Sequence, residues 1–473
     1  MQKNLFFQLI NQYDRYHEKQ ITNRRFKYEQ IVPFIDNLQK HKRFHVKKVG
    51  TSFCNQPIYL VEWGKGNHVV LLWTQMHGNE PTATKALLDI WNFLSADDEY
   101  NDFRETLFNN LKVYFIPVLN PDGTDLFQRR TSQGIDMNRD ALKLQTPEAR
   151  ILKKVRDDVN PEFGFNLHDQ SPYYSAGNST FPAVISFLAP AYNPAKKINS
   201  SREKSMQLIG LMNQDLQQLI PDHVGKYDDT FNVRAFGDNI QKWGTSTILI
   251  ESGGYQNDPD KEYIRKLNFA LLLRSFEAIS SAEYTRIGLE EYNSIPFNVK
   301  ENFFDLLIRN AVVEKNGESY KIDIGINREE IDYNSNRSFY IKSIIADMGD
   351  LATSNGYEEV DANGRVVTGG KTYQNSFSKN VELSNSDITG LLKNGYTNVI
   401  VEEISKVEQF TPGPFNILDK DLYEVLILPD QSANLIILEK REVTQTIVNG
   451  FVANYSKSDY GISNGLIYLF GNK

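Results

Sequence analysis

The sequence predicts a mixed α/β domain, built on a largely parallel sheet with helices on both faces, followed by a mainly β domain. Three observations carry this reading. Apolar runs of strand length alternate with helical patterns up to about residue 280, the order expected of parallel strands joined by crossover helices. After about residue 285 the helical periods fade and short β-type runs replace them. Finally, 473 residues with 40% hydrophobic and 24% charged side chains are enough for two or three soluble domains of ordinary composition.

Residues 1 to about 45 read as helical, because Phe6, Ile10 and Tyr13, and then Ile31, Phe34, Ile35 and Leu38, fall at helical spacing. "HVVLLWTQ" (68–75) reads as a buried strand, and "ATKALLDIWNFL" (83–94) sets Ala83, Leu87, Ile90, Trp91 and Leu94 on one helical face. "KVYFIPVLN" (112–120) is a second strand, "EARILKKVRDDV" (148–159) a helix and "EFGFNLH" (162–168) a third strand. A long helix at 201–220, a strand "TSTILIE" (245–251) and a closing helix at 260–279 complete the pattern. A boundary is expected near 285–300, which gives domains of 1–290 and 300–473. Beyond it come "SYKIDIGI" (319–326), "YTNVIVEEI" (396–404), "YEVLILP" (423–429) and "NLIILE" (434–439), with turn pairs at Asn363-Gly364 and Asn449-Gly450.

A net charge of -8 with no block of Lys and Arg argues against nucleic acid or an anionic membrane as a partner. With one cysteine, Cys54, no intramolecular disulfide can form, which fits a reducing compartment. The N-terminal "MQKNLFFQLINQYDRYHEKQ" has no long apolar core and no small-residue cleavage site, and no stretch approaches a membrane span. A cytoplasmic location is therefore expected. No pattern points to an oligomeric state.

In open α/β sheets, ligands sit beyond the carboxyl ends of the strands. His77 and Glu80 follow the strand at 68–75, His168 ends the strand at 162–168, and Glu251 ends the strand at 245–251. The segment "NPDGTDLFQRRTSQGIDMNRD" (120–140) follows the strand at 112–120. Two imidazoles and one carboxylate make a catalytic zinc shell that leaves a fourth position open for water. Glu251, a carboxylate at the end of an apolar strand, is a candidate base. Arg129 or Arg130 could steady a developing oxyanion. Asn138 and Arg139 could grip a substrate carboxylate. Asp136 could hold the free ring nitrogen of His77 and fix its tautomer. His17, His41, His45, His68 and His223 are expected to have no catalytic role, and Cys54 to be inert.

The ordered set "HGNE" (77–80), "NPDG" (120–123), "RRTSQGIDMNRD" (129–140), "FNLH" (165–168) and "TILIE" (247–251) resembles the successive motifs of the zinc carboxypeptidase family, over about residues 45 to 280. The resemblance implies one zinc ion held by His77, Glu80 and His168, with Glu251 as general base and later proton shuttle. Family spacing, counted back from Asn138, points to Arg129 rather than Arg130 as the polarising arginine. The resemblance also implies that Asn138 and Arg139 bind a terminal carboxylate. One departure concerns the tyrosine that the family places over the scissile bond: Tyr227 is near, but the best-spaced positions hold Asp229 and Thr230. The side-chain pocket is not assigned, since Asp228, Asp229, Arg234 and Asp238 all stand in that stretch.

The expected activity is zinc-dependent hydrolysis of a peptide bond next to a free carboxylate. The alternatives are a deacylase of N-acyl amino acids, of the aspartoacylase and succinylglutamate desuccinylase type, a hydrolase of cell-wall stem peptides, and a non-catalytic binding module. Further on, 304–326 and 428–453 resemble the opening and closing strands of the amidohydrolase composite β-domain. Too few residues lie between them for a barrel of about 250 residues, and all seven histidines precede residue 224. The C-terminal part is therefore expected to be a β accessory module without its own catalytic metal.

Overall fold

The computed structural model describes residues 5–377, 385–401, 413–418 and 426–469. The chain divides into two compact units, Met1–Lys300 and Glu301–Lys473. The first is organised by an eight-stranded sheet of β1 (Phe44–Thr51), β2 (Pro57–Trp63), β3 (His68–Trp73), β4 (Leu111–Ile116), β5 (Phe163–Asp169), β6 (Ile185–Leu188), β7 (Val224–Lys226) and β8 (Ser246–Ser252). Their spatial order is β1-β2-β4-β3-β5-β8-β6-β7. The central β4, β3, β5 and β8 are mutually parallel, so their carboxyl ends share one rim. β1 and β2 add antiparallel at one side, and β6 adds antiparallel to β8 at the other.

Helices α1 (Leu5–Gln12), α2 (Tyr28–Leu38), α3 (Thr82–Ser95), α4 (Asn101–Asn110), α5 (Pro121–Asp125), α6 (Pro147–Val159), α7 (Ser200–Gln217), α8 (Phe236–Lys242) and α9 (Glu262–Ser280) surround the sheet. Alternation along a strand sends successive side chains to opposite faces. Val70 and Leu72 join a core with Leu87 and Ile90 of α3, Ile209 of α7 and Phe269 of α9. Leu71 and Trp73 join a second core with Leu152 of α6 and Ile240 of α8. A strand buried on both faces reads as a continuous apolar run, which is why "HVVLLW" is recognisable.

The helical reading of 1–45 holds only for α1 and α2. Tyr13–Arg15 is a single tight turn, and 16–27 is irregular. Tertiary bonds replace helical ones there: the Arg265 guanidinium donates to the carbonyls of Ile21 (2.8 Å) and Glu18 (3.0 Å), and Lys85 Nζ donates to that of Thr22 (2.7 Å). A buried Asp89 holds the same Arg265 at 2.6 Å.

In the second unit, Phe303–Lys315 and Glu318–Tyr333 form an antiparallel hairpin within a nine-stranded sheet. Its turn, Asn316-Gly317, has both residues at positive φ (56° and 82°), the geometry that favours this pair. Asn363-Gly364 and Asn449-Gly450 adopt the same left-handed conformation. Leu435–Glu439 and Glu442–Val448 lie in the same sheet as the hairpin, and Leu306, Ile324, Leu435 and Ile447 share its core. Of the run at 396–404, Tyr396–Val401 is a strand and 402–404 lies outside the described residues. Of the run at 423–429, 423–425 lies outside the described residues and 426–429 is loop rather than strand.

Candidate active site

His77 and Glu80 occupy the corner between β3 and α3. Gln75 takes a left-handed φ of 44° to start the corner, and its side chain bridges the Gly78 carbonyl (3.0 Å) and the Thr84 hydroxyl (2.9 Å). Gly78 must lack a side chain, because a Cβ there would sit 2.0 Å from the Gly123 carbonyl carbon. The two sequence motifs "HGNE" and "NPDG" thus stack backbone on backbone. Asn120 closes the joint: its Oδ1 accepts from Gly123 N (2.9 Å) and caps α5, while its amide donates to the Met76 carbonyl (3.3 Å).

The corner delivers two donors to one point. His77 is 2% exposed, Glu80 6% and His168, from the end of β5, 2%. Their ligating atoms all lie within 4.8 Å of one another. His77 Nδ1 lies 2.7 Å from Glu80 Oε1, His168 Nδ1 lies 2.6 Å from Glu80 Oε2, and the two ring nitrogens are 3.2 Å apart. Two imidazole nitrogens and a carboxylate facing inward offer lone pairs to a common cation, and nitrogen with oxygen donors suits zinc. The donor set therefore fits the metal. Burial alone would raise the Glu80 carboxyl, but His77 and His168 overcompensate and hold it far below the usual carboxylate range.

His77 Nε2 faces Asp136 Oδ1 at 3.2 Å, which orients the ring. Asp136 also accepts from Asn138 N (2.9 Å), capping the turn Met137–Arg139. Arg129 Nε and Nη2 both donate to Asp136 Oδ2 (3.2 and 3.0 Å), and Nη1 reaches Glu80 Oε1 (3.1 Å). The Arg129 side chain stays 43% exposed, so its fork can swing toward a ligand. Arg130 instead donates to the Gly134 carbonyl on an exposed loop.

Parallel register pairs His168 on β5 with Glu251 on β8. By alternation both leave the core that holds Leu167 and Ile250 and point to the same side. Burial pushes the Glu251 carboxyl up to about 8, against the pull of His168 and with the push of Glu80. Tyr227 stacks edge-on against Tyr174 with ring centres 5.9 Å apart. Burial raises its phenol well above the ordinary value, with Glu251 adding to the effect. Asn138 Oδ1 accepts from Phe236 N (2.9 Å) at the start of α8, and exposed Arg139 donates to the Asn138 carbonyl (2.7 Å). Of the side-chain pocket candidates, Asp229 is committed to Lys196 (2.7 Å) and Arg202, and Asp228 accepts from Thr230 N (2.8 Å). Asp238 accepts from Asn232 N (2.8 Å), and burial lifts it to about 6. Outside the cluster, His17 faces Glu262 (3.0 Å), His68 faces Glu162 (2.9 Å) and His223 faces the Pro182 carbonyl (3.1 Å).

Residues 31–174 match the family profile described as zinc carboxypeptidase. Over that stretch, which is less than half of the chain, the sequence is similar to the zinc carboxypeptidase family. The family match contains His77, Glu80, Arg129, Asp136, Asn138, Arg139 and His168, and ends before Tyr227 and Glu251. A probable carboxypeptidase 2 of Arthroderma benhamiae is 28% identical over 137 residues, 28% of this chain and 25% of that protein. Carboxypeptidase A2 of Rattus norvegicus is 28% identical over 129 residues, 24% of this chain and 31% of that protein. The alignments thus span about a quarter to a third of these relatives. A solved metallo-carboxypeptidase from Burkholderia cenocepacia superposes with a TM-score of 0.45 at 15% identity, over 54% of this chain and 70% of that one.

Asp136 stands behind His77, against the ring nitrogen turned away from Glu80. Asp136→Asn is expected to weaken zinc affinity by about 10- to 100-fold, read by competition with a chromogenic chelator; unchanged affinity would remove Asp136 from this role. Sequence reasoning missed Lys261 and Thr82, which pack against Asp169 behind the cluster. Lys261 stands just before a helix, where a lysine ordinarily faces solvent, so the sequence carries no signal for it. Among the described residues, no helix is long and apolar enough to cross a membrane.

Proposed function

We propose that this chain is a zinc-dependent carboxypeptidase-like hydrolase that cleaves the peptide bond next to a free C-terminal carboxylate. The observation that supports it most is the convergence of His77, Glu80 and His168 on one point with Glu251 beside His168 on the next strand. His77, Glu80 and His168 would hold a zinc ion, which would supply Lewis acidity and make water at the site more acidic. The remaining steps belong to the chain. Glu251, on the strand next to His168, takes the proton of the attacking water and returns it to the leaving amine. Arg129, reaching into the same space from its exposed stem, steadies the charge that develops on the carbonyl oxygen. With the Asn138 Oδ1 engaged by Phe236, its amide is the part of the side chain that donates to a carboxylate. Arg139 adds the planar fork that matches a carboxylate in two bonds. Tyr227, held protonated, is available as a hydrogen-bond donor to the substrate.

The relatives described above bear carboxypeptidase names, which supports this reading over the deacylase alternative. The test compares a short peptide with a free C-terminus, the same peptide as its C-terminal amide, and N-acyl amino acids, with products read by mass spectrometry. Loss of one residue from the acid but not from the amide is expected. Arg139→Ala should raise KM for the acid by about 10- to 100-fold, the effect of losing a hydrogen-bonded charge. Cleavage of N-acyl amino acids alone would reject the proposal.

A further inference from the structure

We infer that Lys261 is a positioning residue for this site: its ammonium group clamps the ends of the two strands that carry His168 and Glu251. The inference rests on the function proposed above. Lys261 directly precedes α9 in a left-handed conformation (φ 54°) and is only 8% exposed. Its Nζ donates to the Ser252 carbonyl at 2.8 Å and to the Gln170 carbonyl at 3.3 Å. Ser252 follows Glu251 on β8, and Gln170 lies just beyond His168 at the end of β5. The two strand ends are also joined directly, since Gln170 N donates to the same Ser252 carbonyl at 2.9 Å.

The charge of the ammonium is met by Asp169, whose Oδ2 is 3.5 Å away. That same oxygen accepts from the Thr82 hydroxyl at 2.6 Å, at the first residue of α3. Asp169 N in turn donates to Glu80 Oε2 at 3.3 Å. One buried cation thus touches the chain next to Glu251 and near His168, and through Asp169 it reaches Glu80. Burying an ammonium is costly unless partners replace its water. Asp169 and the two carbonyls are those partners, and all of them belong to the rim that bears the site. A side chain placed only to stabilise the fold could be exchanged for an apolar one without moving the chemistry. A clamp could not, because small displacements of reacting groups cost rate disproportionately.

The test uses the full chain and two substitutions. Lys261→Met keeps the length of the stem and removes the charge. Asp169→Asn keeps the shape of the partner and weakens the clamp, and it serves if Lys261→Met does not fold. For whichever variant retains the wild-type circular dichroism spectrum, zinc affinity is expected to fall about tenfold by chelator competition, like the loss of other outer partners. Its kcat should fall at least about tenfold with KM little changed, the signature of an interaction made in the transition state. In a Glu251→Gln background the same substitution should lower kcat far less, because coupled residues are not additive. Lys261→Arg should recover part of the loss. A folded variant with wild-type zinc affinity and kcat overturns the inference, as does an equal loss of kcat in both backgrounds. If the wild-type chain binds no zinc and cleaves no peptide, the proposed function falls and takes the inference with it; a competent wild type beside an unaffected variant rejects the clamp alone.

Discussion

Glu251→Gln is expected to lower kcat by about 10²- to 10⁴-fold while one zinc ion per chain remains bound. The carboxamide keeps the shape of the side chain but cannot accept a proton. Glu251 is not among the three converging ligands, so the metal should not notice the change. It nonetheless stands next to one of them, because β5 and β8 are in a register that pairs it with His168. The measurement is peptide turnover beside metal content from inductively coupled plasma mass spectrometry on the same sample. Near wild-type turnover with zinc in place would remove Glu251 as the base. The result matters doubly because the family match stops at residue 174, well short of Glu251.

His168→Ala is expected to abolish both zinc binding and turnover. It deletes one of two imidazoles from a three-ligand shell and leaves the Glu80 carboxylate without a partner 2.6 Å away. The loss of affinity should exceed the about 10- to 100-fold that follows removal of an outer hydrogen bond. His68→Ala is the control: that ring faces Glu162 at 2.9 Å and should leave zinc content and turnover unchanged. Full zinc occupancy in His168→Ala would place the metal elsewhere.

The parts of the fold that the sequence discloses are those whose periodicity is forced by burial. β3, buried on both faces, and α3, with its apolar stripe, stand out together with the corner between them. β1, "FHVKKVGT", is missed because it lies at the sheet edge with a mixed burial pattern, so its lysines break the alternation. β6 and β7 are missed because four and three residues are too short to show a period. α4 carries two buried residues, Arg104 and Leu107, and one of them is charged. In the second unit the turn Asn316-Gly317, between the two hairpin strands, is not among the turn pairs read from the sequence, which are Asn363-Gly364 and Asn449-Gly450.

The candidate site divides in the same way. His77, Glu80, His168 and Glu251 are legible because strand ends in a parallel sheet share a rim. The choice between Arg129 and Arg130 needs coordinates, since only the path of the 129–136 loop turns one guanidinium toward Asp136 and the other toward Gly134. Asp229 has the spacing of a functional residue but spends its charge on Lys196 and Arg202. Lys261 is illegible for a further reason: two of its three partners are backbone carbonyls, which have no letter in the sequence.

The most direct test of the central claim is a crystal structure of the zinc-loaded chain with anomalous differences collected across the zinc absorption edge. The account predicts one strong peak per chain bounded by His77 Nδ1, Glu80 and His168 Nδ1, with metal–ligand distances of about 2.0–2.2 Å. A peak at any other residues, with those three side chains empty between them, would contradict it.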